Sequence, residues 1–218
     1  MNTIKKTKVF VVGLVLTLLV SFLFAPTTAA HEIFYYGIND VPVKLKWYNV
    51  VNGVAKIKIS DDYLSSTYKS HYTTVLNAWE NASSHVDFTD VTYMNAEIDL
   101  TTPAANMWEQ KFGIFQHSTL GFCESTSTDN IVLLSADAAL SSSKKIKYAH
   151  VMYTPYNDFY NDTHRRFVMV HEIGHALGLG HSNGDYYPTT AASVMRQETV
   201  ESYYTPRAHD ISDLEAKY

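Results

Sequence analysis

One eleven-residue stretch constrains this chain more than any other: His171-Glu172-Ile173-Gly174-His175-Ala176-Leu177-Gly178-Leu179-Gly180-His181. Residues four apart on an α-helix share a face about one turn apart, so His171 and His175 aim two imidazoles at one point. Gly178 has no Cβ. It can take the left-handed conformation that ends a helix and turns the chain back, which brings His181 to the same point from outside the helix. Three neutral imidazoles leave one position of a tetrahedral zinc ion open, the arrangement of a catalytic rather than a structural site. Glu172 lies about 100° round the helix from His171, beside that open position. It is the expected general base, taking a proton from a water whose pKa zinc lowers towards ~7 and passing it to the leaving amine. The expected reaction is direct attack by water on a peptide bond, with no acyl-enzyme. The alternative is a catalytically inactive, zinc-containing extracellular binding module. The two differ at Glu172, for which a structural site has no use.

The N-terminus reads as a targeting segment. Lys5, Lys6 and Lys8 precede an almost wholly apolar run from Val9 to Phe24, and Thr27-Thr28-Ala29-Ala30 supplies small residues before a cut after Ala30. Residues 1–30 are thus expected to be a signal peptide, and 31–218 a secreted, extracellular domain, or a cell-surface one if the segment stays uncleaved. The run is short for a bilayer span of about 20 residues and none follows it, so no stable membrane association is expected after cleavage. The remaining 188 residues suit one domain, expected to be monomeric. Losing the three leader lysines leaves 14 Lys plus Arg against 22 Asp plus Glu and moves the formal charge from −5 to −8, which argues against nucleic acid as a partner. Cys123 is the only cysteine, so neither an intrachain disulfide nor a cysteine zinc knuckle is available. A latency role for its thiolate is the alternative to a buried small hydrophobe, and its place inside Leu120-Gly121-Phe122-Cys123-Glu124 favours the hydrophobe.

Periodicity gives the coarse order. Val54 to Ile59 alternates apolar and charged residues, the pattern of a half-buried strand. Tyr68, Tyr72, Val75, Leu76 and Trp79 recur at helical steps behind a cap at Asp61, Asp62 or Ser65, predicting a helix to about Ser84. Val86 to Val91, Ala96 to Thr102, Thr119 to Glu124, Asn130 to Ser135 and Ile146 to Tyr153 read as strands, and Ala104 to Ser118 reads mostly as loop. Asp162-Thr163 is the expected cap pair of a helix reaching Leu177. The segment from His181 to Met195 reads as irregular. A last helix is expected to open at Thr205-Pro206, with Ala208, Ile211, Leu214 and Tyr218 on one face. His71, His85, His117, His150, His164 and His209 read as surface or packing residues.

With its fixed positions matched throughout, the histidine stretch resembles the long zinc motif of the metzincins. Within that clan the chain looks most like the matrixins: Ser182 follows His181, Ser193-Val194-Met195 resembles the Met-turn beneath the metal, and Asp210 to Tyr218 resembles the closing helix. The resemblance implies an α+β fold: a twisted, mostly parallel five-stranded sheet with an antiparallel edge strand, two long helices including the zinc helix, and a small C-terminal subdomain with one helix. The upper subdomain would run to about residue 181 and the lower over 182–218. It further implies one catalytic Zn2+ on His171, His175 and His181, protein or peptide substrates, and a substrate-pairing edge strand for which Leu120, Gly121 and Phe122 are the candidates. Structural calcium is compatible with the resemblance, and the sequence assigns no ligands to it. No Tyr stands two residues after Met195, which argues against an astacin-like tyrosine ligand.

Overall fold

Asn52 and Gly53 both take positive φ (53° and 78°), and this tight turn folds β1 (Val50–Val51) back onto β2 (Val54–Tyr63) as a hairpin. The computed structural model describes residues 45–130, 132–133, 145–156, 159, 161–182, 191–196 and 200–218. The segment expected to be a signal peptide lies outside them.

Alternation sets the sheet. Strand β2 pairs in parallel with β3 (Val86–Asp90) along its first half and with β4 (Ile98–Thr101) along its second, and β4 pairs in parallel with β6 (Ile146–Tyr153). Strand β5 (Gly121–Ser127) closes this side, antiparallel to β6. The expected five-stranded, mostly parallel sheet with an antiparallel outer strand is therefore present, with the two-residue β1 as an addition.

One face of the sheet is apolar: Ile57, Ile59, Ile98, Leu100, Ala149, Val151, Tyr153 and Cys123 are all buried in the core. Helices α1 (Ser66–Lys69), α2 (Tyr72–Ala82) and α4 (Asp162–Ala176) supply Tyr68, Val75, Trp79, Phe167, Val170 and Ile173 to that core. Buried donors fix the helices as well as apolar contact does. Trp79 Nε1 donates to the Val170 carbonyl at 3.0 Å, and the Tyr68 hydroxyl to that of Thr154 at 2.9 Å. Among the described residues no helix is long and apolar enough to cross a membrane.

Several expectations need correcting. The helix predicted up to Ser84 is two, α1 and α2, parted at Ser70-His71, where buried His71 meets Asp162 at 3.3 Å and accepts from Arg166 at 3.2 Å. The stretch read as loop from Ala104 to Ser118 holds α3 (Ala105–Phe112) and a 3-10 turn (Gly113–Phe115). Helix α3 buries only Trp108, so it writes no apolar period into the sequence. It lies on the sheet's other face, where Met107, Trp108 and Lys111 line a cavity with Thr101, His150 and Met152. The strand expected over Thr119 to Glu124 starts at Gly121 and runs to Ser127. Of the strand expected over Asn130 to Ser135, the described part is a bridge between Val132 and Thr126 and a bond from Leu133 N to Ser125 O at 2.8 Å.

The two remaining helix starts also shift. The cap of α4 is Asn161, one residue before the expected pair, and its side chain accepts from His164 N at 3.0 Å. Helix α5 (Ala208–Lys217) starts after Thr205-Pro206, with Asp210 accepting from Arg207 N at 2.8 Å. Its buried residues are His209, Asp210, Asp213, Leu214 and Lys217, so the face that packs inward is mostly polar rather than the apolar one expected.

Candidate metal centre

The end of α4 builds the site. Leu179 N donates to Gly174 O at 3.0 Å and Gly178 N to His175 O at 2.8 Å, the paired closure of a helix whose next residue is left-handed. That residue is Gly178, at φ +85°, and a Cβ on it would stand 2.7 Å from the Leu45 carbonyl oxygen. Glycine is required twice over, by conformation and by space. The last carbonyls of a helix lack partners within it. Beyond the two answered by that closure, the carbonyls of the last residue and the turn are met by side chains: Ala176 O by Trp47 Nε1 at 2.9 Å, Leu177 O by the Tyr218 hydroxyl at 2.9 Å, and Gly178 O by Lys217 Nζ at 2.8 Å.

The turn delivers His181 to the other two imidazoles. His175 Nε2 lies 3.1 Å from His171 Nε2 and 3.1 Å from His181 Nε2. Among the described residues this trio is the one His/Cys/Asp/Glu cluster with metal-binding spacing. The protons have assigned places. His171 Nδ1 donates to Val194 O at 2.7 Å and His175 Nδ1 to Leu179 O at 2.8 Å, which leaves both Nε2 atoms as lone pairs. Lone pairs facing each other at 3.1 Å repel unless a cation lies between them. Two nitrogens bound tetrahedrally to zinc at about 2.0–2.1 Å stand about 3.3 Å apart, so the trio fits that ion. Burial holds His171 down to about 4 and His181 down to about 3, and together with its two histidine neighbours holds His175 well below the usual imidazole range. All three are neutral, as ligands must be.

Beneath the trio the turn Ser193-Val194-Met195 is pinned by Asp210. The Ser193 hydroxyl donates to one carboxylate oxygen and Val194 N to the other at 2.9 Å, while Ser182 N donates to Met195 O at 2.9 Å. A Cβ on Gly174 would collide with Met195 Sδ, so this small residue inside the motif makes room for the methionine. The chain that receives His171 Nδ1 is thus itself held by α5. The sequence assigned no role at the site to Asp210, Gly174, Trp47 or Lys217. Only Asp210, acidic and three residues past Arg207, carried a local signal, that of a helix cap.

Glu172 is buried and faces the first residue of β5. A Cβ on Gly121 would stand 2.5 Å from Glu172 Cγ and 2.7 Å from Oε1. Desolvation alone pushes this carboxyl up to about 8, a shift that a dication on the adjacent imidazoles opposes. A cavity of about 350 Å³ opens here, lined by Leu120, Gly121, His171, Glu172, Arg196 and Val200 among others. Leu120 precedes β5, its carbonyl accepting from Thr154 N at 3.1 Å. Phe122 lies in β5, as the edge strand requires, with its side chain turned the other way. Its ring meets Phe112 with centroids 5.5 Å apart and lies under Lys111, on the sheet face away from the cleft.

Other histidines pack elsewhere: His85 Nδ1 lies 2.6 Å from Gly53 O, the His117 ring lies tilted against that of Tyr156 with centroids 4.6 Å apart, and His150 Nε2 lies 2.9 Å from the Thr101 hydroxyl. Cys123 is buried in the core, and burial raises its thiol well above the usual range.

The family model described as Matrixin matches residues 46–202, most of the chain. Among solved structures, that of myroilysin is similar at 17% identity and a TM-score of 0.45, covering 78% of this chain and 94% of that one. No curated protein matches the chain.

Proposed function

Because the chain belongs to the matrixin family of zinc metallopeptidases, we propose that it is a secreted endopeptidase in which Glu172 manages the proton while water attacks an internal peptide bond. The observation that carries this reading is the convergence of three imidazole nitrogens, with His175 Nε2 3.1 Å from those of both His171 and His181, and a buried carboxylate on the adjacent residue. His171, His175 and His181 would hold the ion, and zinc there would supply a Lewis acid to polarise the scissile carbonyl and acidify water.

The residues of the chain do the rest. The water oxygen bonds to the carbonyl carbon and Glu172 accepts its proton. As the carbon–nitrogen bond breaks, Glu172 delivers that proton to the leaving amine. Gly121, having no side chain, leaves Glu172 the space to swing between the two positions. Substrate lies extended along the outer side of β5. Leu120 O bonds inward to Thr154, the residue after β6, and Ser125 O bonds outward to Leu133, so alternation turns the N–H and C=O of Gly121 outward too. Backbone pairing of this kind accepts many sequences, and the cavity beside Glu172 selects the side chain next to the cut. Secretion is supported by the charged, apolar and small-residue order of residues 1–30.

The test is to incubate the purified domain with a diverse peptide library, with and without chelator, and to read the cut sites by mass spectrometry. Internal cuts that vanish with chelator, and in Glu172→Ala, support the proposal. Zinc binding without any cut would leave the binding-module alternative standing.

A further inference from the structure

We propose that Ile114 and Phe115 form a second, apolar subsite, which grips a hydrophobic side chain of the substrate about three residues beyond the scissile bond; this rests on the peptidase reading. Ile114 is 90% exposed and Phe115 62%, side by side on one short turn. Isolated apolar residues on a surface need no explanation, but adjacent ones on a rigid turn next to a binding cavity point to a partner.

The turn is built, not loose. It opens at Gly113, whose φ of +54° and ψ of −122° belong to a region closed to other residues, and the next two side chains project into solvent. Trp108, itself buried, donates through Nε1 to Gln116 O at 2.9 Å. The Tyr156 hydroxyl donates to Glu109 at 2.7 Å, with Gln116 Oε1 at 2.8 Å. Most decisive is the link to the cleft. Ser118 N and Thr119 N both donate to Phe115 O, at 3.0 and 2.9 Å, and Ser118 and Thr119 line the cavity over His171 and Glu172.

Strand direction assigns the position. Antiparallel pairing is the more stable kind, and a chain lying antiparallel to β5 runs from Gly121 back towards Leu120, Thr119 and Ser118. Gly121 faces Glu172, so the bond to be cut lies there. Three residues further along an extended chain, roughly 10 Å, comes level with Ser118, whose N–H is bonded by the Phe115 carbonyl. A Leu, Ile or Phe arriving there loses its own exposed surface and covers that of Ile114 and Phe115.

The experiment takes peptides built on a cut site found in the library, identical except for Leu or Ser at the third residue after the bond. For the zinc-loaded wild type, KM should favour the Leu peptide about tenfold with kcat little changed, because this contact is the same before and during reaction. In Ile114→Ser/Phe115→Ser the Leu-to-Ser ratio should fall to about one, and Ile114→Leu/Phe115→Leu should restore it. The same ratio is read by fluorescence anisotropy on zinc-loaded Glu172→Ala, where nothing needs to be cut. Loss of all cleavage with a surviving binding ratio sinks the peptidase reading and keeps the subsite. A ratio that survives in the serine variant overturns the subsite. So does a serine variant that keeps the ratio but shifts in molar mass or vesicle binding, for then the patch serves self-association or a lipid surface. Melting curves confirm that the variants fold.

Discussion

Gly121 and Glu172 share a space that admits only one side chain: a Cβ on the glycine would stand 2.5 Å from Cγ of the glutamate. The proposed general base, on helix α4, therefore owes its position to a residue on strand β5. Replacing Gly121 by Val should displace Glu172 without touching the metal ligands. The expected result is a fall in kcat of about 10²-fold with zinc content unchanged, read by peptide hydrolysis beside metal analysis. Full activity would show that Glu172 does not work from the position seen here.

Removing the base itself should separate binding from chemistry. Glu172→Ala should keep zinc near stoichiometric and lower turnover by roughly 10²–10⁴-fold, since no ligand is lost. Wild-type rates in this variant would sink the proton-transfer role.

His181→Ala and Asp210→Ala form a graded pair. The first removes a ligand and the second the clamp on Ser193 and Val194, which fixes the carbonyl that orients His171. Loss of an outer-shell partner costs about 10–100-fold in metal affinity or activity, and loss of a ligand should cost more. Competition with a chromophoric chelator ranks the two. Equal affinities for His181→Ala and wild type would remove His181 from the ligand set.

The zinc-free chain should have a stability maximum in pH, because its buried groups pull in opposite directions. Unfolded histidines bind protons below about 6.5, whereas burial keeps His171 neutral to about 4 and His181 to about 3. In that window the unfolded state holds more protons, so stability falls as pH falls. Glu172 is held up to about 8, well above its ordinary 4.5, so the folded state keeps a proton that the unfolded chain gives up, and stability falls as pH rises through 8. Melting temperatures measured in chelator should peak near pH 6.5, about the ordinary histidine value. In Glu172→Gln the alkaline decline should weaken while the acid decline stays. An unaltered alkaline limb in that variant assigns it to another group.

Gly174→Ala tests the packing under the motif. The new methyl must displace Met195, which sits in a buried turn, and overpacking of this kind costs about 1–3 kcal/mol. Urea denaturation of the zinc-free protein measures it, and a loss of less than about 0.5 kcal/mol would mean that Met195 has room to move.

How much of this was legible depended on how local the cause was. His171, His175 and Gly178 act through one turn of helix and the turn that ends it, so spacing alone places them. Strand β6 was legible to the residue because its buried positions sit among β-formers between clear breakers. Helix α3 was not, since an eight-residue helix that buries one tryptophan leaves no period to read. The inner face of α5 misled for a different reason. Asp210 and Lys217 are buried because backbone groups far away in sequence need them, and no window of sequence around either residue contains that need.

The closing of α4 has a consequence in time. The carbonyls of Ala176, Leu177 and Gly178, at its end and in the turn that follows, are answered by Trp47, Tyr218 and Lys217, and Lys217 also holds Leu45, across 172 residues. A chain emerging from the ribosome can form the sheet and the motif helix first, for their contacts are already out. The turn that presents His181 has two of its three anchors in residues 217 and 218, which are synthesised forty residues after Gly178. A growing chain therefore carries the whole histidine motif for some seconds before it can hold the last ligand in place, at about 5–20 residues per second. Until those residues have been made, the turn that presents His181 lacks two of its three anchors.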